Sequence, residues 1–172
     1  MSRKMLKVFG PYKVPVRKQK SGHGKMIDKE HECKFWDKIR DEGLERKQGC
    51  YIFALRAGRG ATPWYVGKAG KSFEQECFAL DKLNKYNKAL FEGKKGTPVL
   101  FFVALDGKKK KIAGKTIKEV ETYLIQVAKD ANRELINKSK TKPPNWGITR
   151  VVRGGQGRPL AAELLFRTML GF

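Results

Sequence analysis

Apolar residues in this chain fall into short runs separated by basic stretches, and the period of the runs changes along the sequence. Between Glu30 and Lys47, the residues Phe35, Trp36, Ile39 and Leu44 form a rough helical stripe, which predicts a charged helix with one face in the core. Cys50 to Arg56 (CYIFALR) and Pro63 to Gly67 (PWYVG) are β-prone runs on either side of the loop AGRGAT, the pattern of a β-hairpin. Phe73, Cys77, Leu80, Leu83 and Leu90 then recur near a helical period over about two segments. Val99 to Leu105 (VLFFVAL) is continuously apolar between Thr97-Pro98 and Asp106-Gly107, which suits a strand buried on both faces.

Thr116 and Glu119 have capping-box spacing for a helix running to about Ala131, with Val120, Tyr123, Leu124, Val127 and Ala131 as its apolar face. Beyond Asn137, KSKTKPPNWG breaks that helix, ITRVV offers a short strand, GGQGRP a loop and LAAELLFRTML a terminal helix. The stretch from Met1 to about Gly24 mixes basic residues with Pro11, Pro15 and glycines, and reads as an extended arm. Taken in order, these elements predict one α+β domain with a small mixed sheet flanked by helices.

Charge narrows the possible partners. The 172 residues contain 38 Lys plus Arg against 17 Asp plus Glu, a formal net charge of +21. So much positive charge repels itself unless a polyanion relieves it, and a phosphate backbone is the commonest such partner. No apolar run approaches the roughly 20 residues of a spanning helix, and the first residues lack the apolar stretch of a secretory signal. Cys33, Cys50 and Cys77 include no C-x-x-C pair, so neither a disulfide framework nor a four-ligand zinc site is indicated, and a reducing cytoplasmic setting is expected. His31 with Cys33 would start a metal site, but no second half follows, and His23 stands alone.

The hairpin carries a more specific signal. Gly49-Cys50-Tyr51 and Tyr65-Val66-Gly67 are followed by Lys68, and then by Glu121 in EVETYLIQVAKDANRELIN. This ordered set resembles the GIY-YIG nuclease family over roughly Gly49 to Asn137. The resemblance implies a mainly antiparallel three-stranded sheet flanked by helices at 49–137. A basic arm and helix at 1–48 would precede it, and a strand-helix extension at 138–172 would pack on the core. It also implies a metal-dependent DNA endonuclease, of restriction or phage-related type, acting on double-stranded DNA. Glu121 would hold Mg²⁺ or Mn²⁺, Tyr51 would be the general base or position water, and Tyr65 would be its partner or the alternative base. Lys68 would contact phosphate or depress the tyrosine pKa, Gly67 would let backbone or phosphate approach, and Asn132 or Asn137 would support the site.

That chemistry suits these residue types. A divalent ion on one carboxylate keeps several waters and acts as Lewis acid and template for a phosphodiester. A phenol with an ordinary pKa of about 10 needs cations beside it to serve as base. Each residue also has a plainer reading: Tyr51 and Tyr65 as a cross-strand aromatic pair, and Glu121 as a solvated carboxylate or the partner of Lys118 or Lys129.

The chain departs from the family pattern in one respect. Members carry an arginine about ten residues after the second tyrosine, whereas here the segment is SFEQECF, and no arginine occurs between Arg59 and Arg133. Candidate replacements and nucleic-acid contacts are Lys71, Lys82 and Lys85, or Arg150, Arg153 and Arg158 around the C-terminal GGQGR loop, although lysine offers a point charge where arginine offers a fork. The rival reading is a DNA- or RNA-binding protein that keeps the fold without catalysis. A palindromic target would require a dimer, for which no interface stripe is visible.

Overall fold

A computed structural model of the chain describes residues 4–18, 24–92, 95–107, 111–137, 146–152 and 157–171. The strands are β1 (Lys4–Lys13), β2 (Arg17–Lys18), β3 (Lys25–Met26), β4 (Gly49–Ala57), β5 (Gly60–Ala69), β6 (Thr97–Leu105) and β7 (Trp146–Ile148). The helices are α1 (Lys29–Ile39), α2 (Phe73–Glu76), α3 (Leu80–Phe91), α4 (Gly114–Ala131) and α5 (Ala161–Leu170). The main sheet has five strands in the order β5-β4-β6-β1-β7, and β2 with β3 forms a separate two-stranded sheet. The pairings β5-β4, β4-β6 and β6-β1 are antiparallel, whereas β7 runs parallel to β1.

This architecture corrects the expectation of a small, mainly antiparallel three-stranded sheet. The hairpin β4–β5 and the run in β6 do supply three antiparallel strands, but the sheet continues through β1 into β7 and is mixed. Most of the described part of the segment expected to be a basic arm is thus a ten-residue strand, in which buried Leu6 and Val8 alternate with the less buried Lys7 and Phe9. Its alternation is broken where the register with β6 shifts between Phe9 and Tyr12. Gly10 and Pro11 lie in that shift, and a bulge tolerates a residue without an N–H. Gly10 has φ +113°, and a Cβ there would sit 2.8 Å from the Leu100 carbonyl oxygen.

Strand alternation divides the interior in two. On one face, Tyr51, Phe53, Tyr65, Leu100 and Phe102 pack with Phe35 and Trp36 of α1 and with Leu83, Tyr86 and Leu90 of α3. On the other, Cys50, Ile52, Val66, Phe101 and Val103 pack with Val120 and Leu124 of α4 and with Phe166 and Met169 of α5. The stripe Phe35, Trp36, Ile39 and Leu44 is core, although α1 itself ends at Ile39 and a left-handed Gly43 closes the short 3₁₀ turn that follows. α4 ends at Ala131 but begins at Gly114 with Ala113 as its N-cap, so Thr116 lies inside the first turn and forms no capping box with Glu119. No helix among the described residues is long and apolar enough to cross a membrane.

The strand assignment of the N-terminal segment predicts a measurable cost. Val8 is buried within the α4–α5 core, so Val8→Asp should lower unfolding stability by about 3 kcal/mol or more through burial of an unpaired charge. Urea titration checks this, and a flexible arm would tolerate the change.

Candidate functional site

The two tripeptides lie side by side in the β4–β5 hairpin. Tyr51 pairs with Gly67, Phe53 with Tyr65, Cys50 with Lys68 and Gly49 with Ala69. A Cβ on Gly67 would lie 2.3 Å from Cζ and 2.4 Å from the hydroxyl of Tyr51, so the tyrosine ring fills the space that a side chain at 67 would need. A Cβ on Gly49 would come within 2.1 Å of the Val103 carbonyl oxygen on β6. Both tripeptide glycines are therefore required by packing. The space at Gly67, expected to admit backbone or phosphate, is taken by the phenol of Tyr51.

Tyr51 is fully buried against Phe73 and Tyr65, with ring centroids 6.4 Å and 6.3 Å away. Its hydroxyl has no hydrogen-bond partner among the described residues. Burial pushes its pKa far above the ordinary phenol value, and the neighbouring Cys77 and Tyr65 push in the same direction. A phenolate is thus strongly disfavoured at Tyr51. Tyr65 is also buried, and the Nζ atoms of Lys85 and Lys82 stand 4.7 Å and 5.8 Å from its ring centroid. Both lysines contact Asp81, at 3.6 Å and 2.5 Å respectively, and the hydrogen bond from Lys82 holds that carboxyl below the usual range.

Lys68 and Glu121 meet on the opposite face. Lys68 Nζ lies 2.9 Å from Glu121 Oε2, with side-chain exposures of 43% and 19%. The partner of Glu121 is therefore Lys68 rather than Lys118 or Lys129. Cys50 lies beneath this pair, donating to the Ile117 carbonyl at 3.4 Å, and burial followed by the negative charge of Glu121 raises its thiol pKa. The two tyrosines and the Lys68–Glu121 pair are thus separated by the sheet and do not form one constellation.

Asn137 takes a third position, along the edge of β5. Its side chain accepts from the Val66 N–H at 2.9 Å and donates to the Val66 carbonyl at 2.8 Å. Asn132 donates to the Pro63 carbonyl at 2.7 Å, and the Ile136 N–H reaches the Trp64 carbonyl at 3.3 Å. Both asparagines therefore clasp the same strand, so the choice left open between them dissolves.

Among the candidate nucleic-acid contacts, Lys71 and Arg158 are exposed, Lys82 and Lys85 lie half-buried beside Tyr65, and Arg153 lies outside the described residues. Arg150 has a structural role. Its guanidinium contacts both carboxylate oxygens of the buried Glu163, at 2.9 and 3.0 Å, while Glu163 accepts the Leu160 N–H at the start of α5. His31 pairs through Nδ1 with Asp28, the N-cap of α1, and Cys33 is exposed. Among the described residues no group of three or more His, Cys, Asp or Glu is placed to hold a metal ion. Sequence reasoning passed over Arg56 and Arg59, which stand exposed at the β4–β5 turn. The signal was the pair of arginines beside Gly58 and Gly60 in a loop that read only as a connector.

Two substitutions separate structural from chemical roles. Tyr51→Phe should leave stability unchanged or raise it by about 1 kcal/mol, because it removes a buried hydroxyl that lacks a partner. Asn137→Ala should cost about 1–3 kcal/mol, because it leaves both polar groups of Val66 unanswered. Thermal and urea unfolding of the two variants check both. Comparison of the chain with protein-family models, with curated proteins and with solved structures finds no match.

Proposed function

We propose that this chain is a nucleic-acid-binding protein. The observation that carries the reading is the net charge of +21 on 172 residues. Neutralising phosphates with such a surface releases counterions, so binding would be tight at low salt and would weaken steeply as salt rises.

A second reading, a metal-dependent DNA endonuclease, is favoured by one specific observation. A partly exposed carboxylate on α4 lies 2.9 Å from the ammonium that directly follows Tyr65-Val66-Gly67. Glu121 suits a Mg²⁺ ion held by one carboxylate, waters and substrate phosphate, and the ion would supply Lewis-acid activation of the phosphodiester. In that case Lys68 would release Glu121 and turn to a phosphate oxygen. Against this reading stand the buried, unactivated phenol of Tyr51, its position across the sheet from Glu121, and the missing arginine. Binding without turnover is therefore the better-supported function.

Incubation with plasmid DNA at low salt, with Mg²⁺ or with EDTA, tests the choice. Shifted but uncut plasmid in both lanes is the expected result. Nicked or linear plasmid that requires Mg²⁺ and disappears with Glu121→Ala would instead establish the endonuclease.

A further inference from the structure

The β4–β5 turn, the bulge of β1 and helix α5 enclose a cleft of about 540 Å³, lined by Pro11, Arg56, Arg59, Ala161, Leu164 and Leu165 among others. A second hollow of about 330 Å³, lined by Lys13, Arg56, Thr97 and Val99, adjoins it and shares Pro11 and Arg56. The two meet at Pro11 and Arg56, which line both, and together make one groove. One wall, formed by Ala161, Ala162, Leu164 and Leu165 of α5, is apolar and uncovered, with Leu164 56% exposed. The opposite rim is cationic. Lys13, Arg56 and Arg59 are exposed, and none of the ion pairs among the described residues involves them. Arg150, by contrast, is committed to Glu163.

We infer that this groove binds an unstacked segment of single-stranded nucleic acid, with a base in the cleft and the adjoining phosphates on Arg56, Arg59 and Lys13. The inference rests on the nucleic-acid reading above and assigns it a place. An anion-binding rim beside an apolar wall matches a nucleotide, which joins a flat, weakly polar base to a phosphate. The volume lies within the roughly 300–1,000 Å³ of small-ligand clefts, and guanidinium planes stack on bases while their N–H groups reach phosphate oxygens. A duplex does not fit this shape, because its bases are stacked inside and cannot enter a cleft. The polar second hollow continues the track for a backbone leaving the cleft.

The test is fluorescence anisotropy with a short labelled oligodeoxythymidylate and with its duplex with oligodeoxyadenylate, across a salt series. The wild-type chain should bind the single strand more tightly than the duplex. Arg56→Ala with Arg59→Ala should weaken single-strand binding about tenfold or more and reduce the magnitude of the log–log salt slope by about 1.4, the contribution of two phosphates. Leu164→Ser should weaken it at least about threefold with the slope unchanged. Lys34→Ala with Lys38→Ala, which removes the same charge from exposed positions of α1, should change it less than about twofold. Unaltered thermal unfolding verifies that each variant is folded.

Equal losses in the arginine and α1 variants would overturn the inference in favour of a diffuse field. Competition by inorganic phosphate as effective as by thymidine monophosphate would overturn it in favour of simple anion binding. Tight single-strand binding that none of the groove variants alters would remove the groove and leave the nucleic-acid reading standing. Failure of the wild-type chain to bind either oligonucleotide would remove both.

Discussion

The structure depends on the double burial of β4. From Cys50 to Ala54 every side chain is 1% exposed or less, and the strand is hydrogen-bonded on both sides, to β5 and to β6. A strand so placed has no solvent face, and each residue is committed by its parity to one of two cores. Phe53 and Tyr51 go to the α1–α3 side, where Phe53 stacks on Tyr86 with centroids 4.3 Å apart. Cys50 and Ile52 go to the α4–α5 side. A one-residue slip would exchange these sets and drive the Tyr51 ring away from the space left by Gly67.

The same parity governs how the candidate site is built. Tyr65 and Lys68 are three residues apart on a regular part of β5, so they must point to opposite faces, and the partner of each strand position follows. The hydroxyl and the carboxylate that phosphodiester hydrolysis would combine are therefore held apart by the layer that makes the fold stable. Elsewhere Lys13, Arg56 and Arg59 stand exposed and enter none of the ion pairs among the described residues.

Much of the core was legible from alternation and periodicity alone: the hairpin, the apolar run of β6, and the helix ending at Ala131 all leave uninterrupted patterns. β1 was not legible because its two buried residues, Leu6 and Val8, are separated by a lysine and followed after Phe9 by Gly10-Pro11, which reads as a break when taken locally and as a bulge only when paired against Leu100 and Phe101. The opposition of Tyr65 and Lys68 was present in their spacing. Which face α4 would cover was not, because the apolar stripe of a helix specifies that it is buried but not beneath which side of a sheet. The pairing of Arg150 with Glu163 was also out of reach, since two charges thirteen positions apart across a loop carry no periodic signal.

The clasp formed by Asn132, Ile136 and Asn137 has a consequence for how copies of this chain meet. An open outer strand ordinarily invites another backbone to continue the ladder. On β5 the carbonyls of Pro63, Trp64 and Val66 and the N–H of Val66 are already answered from within the chain. At the far side the sheet ends in β7, only three residues long. Ladder extension is thereby blocked at Pro63, Trp64 and Val66 on one flank, and β7 itself offers only three residues on the other. Copies of this chain can then crowd together with little opportunity for their sheets to fuse into a continuous ribbon.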